Sequence, residues 1–188
     1  MNQKKVAVFG DLTALYSARS LLKKNINYNH VDSAIKKMFG VNKLEAANWY
    51  TLFHPENKSQ VDFVKTLEAL DWNVKTKRPS EVRRSSSNNN PHTDYRFDAQ
   101  IAYNIGEATG EYDEIIVVSD SLELLQPLKE ATSFIKVTLS FFKDAMDRRW
   151  IRPLEESKIQ FVDLGRMLQT TREETFQQPF IQDSARFE

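Results

Sequence analysis

The sequence predicts an α/β fold, a three-layer α/β/α sandwich with a mainly parallel central sheet. Short apolar segments of strand length alternate along its 188 residues with longer segments whose apolar residues repeat at helical spacing. The most apolar stretch, residues 115–118, is a run of isoleucine and valine, which is typical of a strand covered on both faces. Glycines such as Gly40 and Gly110 separate several of the segments.

The first half of the chain is predicted to form three strands and three helices. The strands are residues 5–10, 46–53 and 72–75. The helices are residues 14–24, 30–39 and 60–70, and a turn at 11–13, a linker at 25–29 and a loop at 54–58 connect these elements. In the third helix Val61, Val64 and Leu67 share one face, as expected for a helix that packs on a sheet.

The second half continues the alternation and completes one domain, residues 1–168. Helices are predicted at 97–109 and 124–132, strands at 115–118, 134–142 and 159–164, and a basic helical or irregular segment at 145–154. Right-handed crossovers would place the first strand beside the strand at 115–118, in the centre of the sheet. The polar residues 169–188 are predicted to be a mobile tail or an extension that docks on a partner protein or a second copy of the chain.

Composition narrows the possible functions. The 26 basic and 26 acidic residues give no net charge, so any surface that binds nucleic acid must be a local patch of positive charge. No membrane partner is expected. The sequence contains no cysteine, which excludes disulfides, thiolate zinc sites and cysteine nucleophiles. The start of the chain is a strand with an early acid and not a signal peptide, and a cytoplasmic location is expected.

A basic segment at residues 75–96 is predicted to be a flexible loop within the domain, because serine and asparagine dominate its second half. Two interpretations stay open: a solvated surface excursion, or a flap that holds phosphates beside an acidic pocket. A second basic group lies near the predicted fifth strand. The candidate RNA-binding residues are Lys75, Lys77, Arg78, Arg83, Arg84, Arg148 and Arg149.

Four acidic residues are predicted to converge at one edge of the sheet. Asp11 follows the first strand, Asp120 and Glu123 follow the strand at 115–118, and Asp98 begins a helix. Ligands of open α/β sheets bind at the carboxyl ends of the strands, where the strand order reverses. Carboxylates without histidine or cysteine are typical ligands of Mg²⁺ or Mn²⁺, and such a site suits phosphodiester hydrolysis. Each acid also has a simpler explanation as a helix cap or first-turn acid.

Other kinds of site are disfavoured by the sequence. The turn that contains Gly10 lacks the spaced glycines of a dinucleotide or P-loop site. His30, His54 and His92 lie far apart, without the spacing of metal ligands. Ser119 and Ser121 have no histidine nearby in the sequence to act as a base, and a phosphatase loop would need an aspartate where Thr13 stands.

In several of its segments the chain resembles the NYN domain, the LabA-like branch of the PIN-like nucleases, over residues 4–165. Residues 6–16 (VAVFGDLTALY) are similar to the opening strand of that family, and residues 97–105 (FDAQIAYNI) to its acid-bearing helix. Residues 115–128 (IIVVSDSLELLQPL) resemble its central strand and acidic loop, and residues 67–79 and 161–164 resemble a helix–strand segment and the closing strand.

This resemblance implies a PIN-like, Rossmannoid fold and a metal-dependent ribonuclease with an acidic pocket. Asp11 and Asp98 correspond to metal-binding acids, and Glu123 to the second acid of the loop. The acidic motif is partly substituted: Ala14 stands for an asparagine, Asn104 for the second helix acid, Asp120 for a glycine and Ser121 for the first loop acid. Asn104 would position water or metal. The substitutions leave a second possibility, a degenerate member that binds RNA or a protein partner without cutting.

Overall fold

The structure, a computed structural model, describes residues 4–23, 25–78 and 97–170. In these ranges six strands form one sheet in the order β3-β2-β1-β4-β5-β6, and each neighbouring pair runs parallel. The strands are β1 (Val6–Asp11), β2 (Ala46–Leu52), β3 (Asn73–Lys77), β4 (Glu114–Val118), β5 (Lys136–Phe141) and β6 (Gln160–Asp163). The predicted α/β/α sandwich is confirmed, and so is the central pairing of β1 with β4.

Helices cover both faces of the sheet and bury two apolar cores. They are α1 (Leu12–Leu22), α2 (Tyr28–Phe39), α3 (Lys58–Glu68), α4 (Asp98–Ala108), α5 (Leu125–Ala131), α6 (Ile151–Glu155) and α7 (Leu164–Thr170). Side chains of a strand alternate between the faces, so Val6 and Val8 of β1 pack in the core with α1 and α2, whereas Ala7 and Phe9 pack with α4 and α5. Within the described ranges, no helix has both the length and the apolar character needed to cross a membrane.

Three helices begin earlier than their apolar periodicity indicates, because asparagine or aspartate caps them. Asp11, Asn27 and Asn57 accept hydrogen bonds from the backbone of the next turn, so α1, α2 and α3 begin at once behind them. The predicted turn at residues 11–13 and the predicted loop end at residue 58 are therefore wrong. The segment at 145–154 forms the short helix α6 behind 3-10 turns, and α7 was not predicted.

The third strand extends further than predicted, to Lys77. Thr76 and Lys77 pair with Thr51 and Leu52 of β2, so residues 75–77 belong to the sheet and not to a flexible loop. Residues 79–96 of that predicted loop, with Arg83 and Arg84, lie outside the described residues, and so do residues 171–188 of the predicted tail.

Candidate functional site

Asp11 is the last residue of β1 and lies at the carboxyl edge of the sheet. It continues the series of Ala7 and Phe9, so its side chain lies on the face that α4 covers. Only 4% of the residue is exposed. Its Oδ1 accepts hydrogen bonds from the N–H groups of Thr13 (2.8 Å) and Ala14 (3.2 Å), so the interpretation as an N-cap is confirmed. Both bonds use one oxygen, which leaves Oδ2 for another partner.

Two further acids act on Asp11 electrostatically. Burial raises the pKa of the Asp11 carboxyl from 3.8 to about 7, the two cap hydrogen bonds lower this pKa, and the negative charges of Asp98 and Asp120 raise it. Asp98 is in the first turn of α4, and Asp120 follows β4, the neighbour of β1. The structure therefore brings Asp11, Asp98 and Asp120 to one edge of the sheet.

Hydrogen bonds order the loop that carries Asp120. Inside it, the Ser121 N–H donates to Oγ of the buried Ser119 (3.2 Å). From a distant part of the chain, the indole Nε1 of Trp150 donates to the carbonyl oxygen of Asp120 (2.9 Å). Trp150 was not predicted as a site residue, because in the sequence it is marked only by its position directly after two arginines.

Asn104 and Glu123 are placed differently from the three aspartates. Oδ1 of Asn104 accepts a hydrogen bond from Nζ of Lys75 (3.3 Å), and its Nδ2 donates to the Gln100 carbonyl (2.6 Å). Glu123 is exposed in a 3-10 turn, and the charges that act on Asp11 are those of Asp98 and Asp120. Asn104 therefore binds Lys75 of β3 and not one of the aspartates, and Glu123 lies at the protein surface.

Two lysines of β3 stand over aromatic rings on the α4 side of the sheet. Nζ of Lys75 lies 5.6 Å from the ring centre of Tyr50, and Nζ of Lys77 lies 5.1 Å from that of Phe97. Tyr50 pairs in register with both Asp11 and Lys75, and Phe97 directly precedes Asp98. Within the described residues, neither lysine forms a salt bridge. Cation–π contacts orient such side chains without neutralising their charge.

The other basic candidates divide into two groups. Arg149 forms a salt bridge with Asp147 (2.6 Å), and both Arg149 and the neighbouring Arg148 are exposed. Arg78 directly follows β3 and is also exposed. The positions of Arg83 and Arg84 fall outside the described residues. Lys75 and Lys77 lie on the same face of the sheet as Asp11 and are therefore the basic pair best placed near it.

The donor set suits a hard cation that binds together with a substrate. Among the side chains that the structure describes, no three His, Asp or Glu residues stand where they would hold one ion together. Mg²⁺ is often bound through only one or two carboxylates, and waters and substrate phosphates complete its coordination. One or two of Asp11, Asp98 and Asp120 would be enough for that kind of site, whereas a closed structural metal centre would need more ligands from the protein.

The strand order is also that of doubly wound dinucleotide-binding folds, which use a glycine-rich turn at this place. Here the N-terminus of α1 is occupied by the Asp11 carboxyl, which would repel a pyrophosphate. Gly10 serves packing, because a Cβ atom on it would lie 2.1 Å from the Trp49 ring. These contacts argue against a dinucleotide-binding site, as does the lack of spaced glycines in the sequence of this turn.

Two polar features at the opposite edge are separate from this site. Glu114, fully buried at the start of β4, binds Lys4 (2.5 Å), Lys136 and the Thr138 hydroxyl (2.8 Å), which satisfies its charge. A cleft of about 560 Å³ lies nearby, lined by residues before β4, by the α5–β5 connection with the first residues of β5, and by Lys158 before β6. Neither feature contacts the three aspartates.

Comparisons with known proteins bear on the fold. No protein-family model and no curated protein matches the chain. Among solved structures, a protein of unknown function from Vibrio parahaemolyticus is similar, with a TM-score of 0.67 over 87% of this chain and 97% of that chain. The two sequences are 18% identical, so this likeness supports the three-layer α/β/α fold and assigns no activity.

Proposed function

We propose that the protein is a metal-dependent ribonuclease of the NYN, PIN-like kind, acting in the cytoplasm at the carboxyl edge of its sheet. The observation that carries this proposal is the convergence of Asp98 and Asp120 on the buried Asp11 carboxyl, whose pKa is raised to about 7. Three like charges in a partly buried site are costly unless a cation offsets them. Enzymes tolerate that cost at active sites more often than elsewhere.

In this proposal one or two of the three aspartates bind Mg²⁺ or Mn²⁺ at a time, and waters and RNA phosphates complete its coordination; the ion would activate water and stabilise charge on the phosphate. Asp11 and Asp98 are the candidate ligands on β1 and α4, and the half-buried Asp120 is the candidate ligand on the loop after β4. Lys75 and Lys77 bind the neighbouring phosphates of the RNA, and the exposed Arg148 extends the cationic surface on the other side. Asn104 holds the Lys75 ammonium in place through its side-chain oxygen.

Replacing Asp98 with asparagine is expected to lower Mn²⁺-dependent RNA cleavage on the order of 100-fold, because a charged ligand is lost while the shape is kept. The assay uses single-stranded and structured RNA, with Mn²⁺, Mg²⁺ or chelator. Glu107→Gln is the matched control, because it removes an exposed acid from the far end of the same helix. Equal rates for wild type, Asp98→Asn and chelator-treated protein would refute the ribonuclease.

The double variant Lys75→Ala/Lys77→Ala is expected to bind RNA about 10-fold more weakly at physiological salt, because two phosphate contacts are lost. The magnitude of the slope of log affinity against log salt concentration should fall by about 1.4 to 1.8. Lys65→Ala, an exposed lysine of α3 on the other face of the sheet, should change neither quantity. An unchanged slope in the double variant would show that the RNA does not bind at Lys75 and Lys77 of β3.

A second candidate function is RNA or protein binding without cleavage. It is favoured by the exposed position of Glu123 and by the bond that engages Asn104 with Lys75. In that case RNA binding would be unaffected by chelator and by Asp98→Asn, and cleavage would be absent with every metal. A protein partner or a second copy of the chain would then be sought through residues 169–188, and truncation there should abolish its binding.

A further inference from the structure

Trp150 connects two parts of the candidate site that are 30 residues apart in the sequence. Its side chain is fully buried, and its Nε1 donates a hydrogen bond of 2.9 Å to the backbone carbonyl of Asp120. It closes the 3-10 turn Arg148–Trp150, which begins behind the capping residue Asp147. One hydrogen bond thus joins the basic turn to the acidic loop.

The loop after β4 needs a constraint of this kind. The strand ends at Val118 and a 3-10 turn begins at Leu122, so Asp120 lies in between without regular structure. A backbone carbonyl near a core would be costly without a donor, and the indole of Trp150 supplies one. Holding that carbonyl fixes the peptide plane after Asp120, and this limits the direction in which the Asp120 side chain leaves the backbone.

We propose that Trp150 is a positioning residue for the site: it sets the Asp120 carboxyl toward Asp11 and fixes the Arg148 turn beside it. Asp120 is one of the two acids whose negative charges raise the pKa of Asp11, with burial as the largest cause. The proposal rests on the proposed function, because its consequence is cation binding at the three aspartates. It adds a residue that does not touch the cation or the reacting atoms.

The other two tryptophans show that this contact is specific to Trp150. The Trp72 indole donates to the Asp32 carboxylate (3.0 Å) inside the opposite core. Nε1 of Trp49 is buried and has no hydrogen-bond partner among the described residues. Trp72→Phe therefore removes the same kind of buried donor as Trp150→Phe, but away from the site, and serves as its matched control.

The first measurement is hydrogen exchange of the backbone amides at residues 119–124 in metal-free protein. Trp150→Phe is expected to speed this exchange about fivefold, the effect of one lost hydrogen bond, and Trp72→Phe should leave it unchanged. If the phenylalanine variant does not fold, 3-benzothienylalanine at position 150 keeps the shape of tryptophan and removes only the N–H. Unchanged exchange in both replacements would overturn the proposal.

The second measurement is the Mn²⁺ concentration that gives half of the maximal increase in melting temperature. It should rise about tenfold in Trp150→Phe, the effect expected when a group that orients a metal ligand is lost, and stay constant in Trp72→Phe. An equal shift in both variants, or none, would overturn the positioning role. A wild type with no Mn²⁺ response would instead refute the metal site of the proposed function, while the exchange result would still decide whether Trp150 orders the loop.

Discussion

Replacing Asp11 with asparagine is expected to raise the free energy of unfolding at pH 8 by up to about 4 kcal/mol. The native carboxyl has its pKa raised from 3.8 to about 7, and about 1.4 kcal/mol per unit gives this figure. Asparagine is uncharged at every pH. Its side-chain oxygen can accept the same bonds from Thr13 and Ala14, so the cap of α1 is kept.

The sign of the pH dependence follows from proton binding. Between about pH 4 and pH 7 the native Asp11 holds a proton that the unfolded chain has released. The stability of the wild type relative to Asp11→Asn should therefore fall as the pH rises through this window. Near pH 4 the two proteins should be about equally stable, and above pH 7 the difference should be constant. Urea unfolding at several pH values between 4 and 8.5 measures it.

The reverse substitution, asparagine to aspartate, can be made at the cap of another helix as a control. Asn57 caps α3 with the same two kinds of bond but is exposed, so Asn57→Asp should change the free energy of unfolding by less than about 1 kcal/mol. If the free energies of unfolding of wild type and Asp11→Asn differ by the same amount at every pH, burial does not raise the pKa of Asp11. The three aspartates would then not destabilise the native state in the way that the proposed function assumes.

The variant Asp11→Asn also distinguishes a metal-binding site from a buried acid that only destabilises the native state. Millimolar Mn²⁺ at pH 7.5 is expected to raise the melting temperature of the wild type, because an ion that binds only the native state stabilises it. Asp11→Asn should lose most of this increase while starting from a higher melting temperature. A variant that is both more stable and less active is the usual result of removing a functional charge from a buried position.

The fold was predictable because its signals are local and the remaining rules are few. The β-branched run of β4 and the helical spacing in α3 identify the elements, and the handedness of crossovers places β1 beside β4. The helix starts were misplaced because Asn27 and Asn57 act as caps through geometry that composition does not reveal. Lys77 was assigned to a loop because a strand at the edge of a sheet tolerates charged residues.

The site was predictable in part. Asp11 ends β1 and Asp120 comes two residues after β4, and because the carboxyl ends of these parallel neighbours share one edge, topology alone brings the two acids together. Asn104 comes six residues after Asp98, which on a helix is about 120° away from it, and it therefore turns toward Lys75. The contact of Trp150 with Asp120 joins distant segments through one backbone carbonyl, and no spacing in the sequence indicates such a bond.

Packing beside the site gives a prediction of similar size: Gly10→Ala is expected to lower the free energy of unfolding by about 3 kcal/mol. An added Cβ would lie between 2.1 and 2.8 Å from three atoms of the Trp49 ring. The ring cannot retreat easily, because it is fully buried and stacks on Trp72 with 4.1 Å between centres. The Trp72 indole is in turn held by Asp32. Urea unfolding of the two proteins measures the loss.

Two further variants separate this clash from a general effect of alanine. Gly106→Ala adds the same Cβ in α4 with nothing within 4 Å, so it should stabilise the protein by up to about 1 kcal/mol. In the background Trp49→Phe, which lacks the second ring of the indole, Gly10→Ala should cost at least about 1 kcal/mol less than in the wild type. Equal costs in both backgrounds would mean that Gly10 is required for a reason other than Trp49. Because Gly10 directly precedes Asp11, that reason would have to be sought in the site itself.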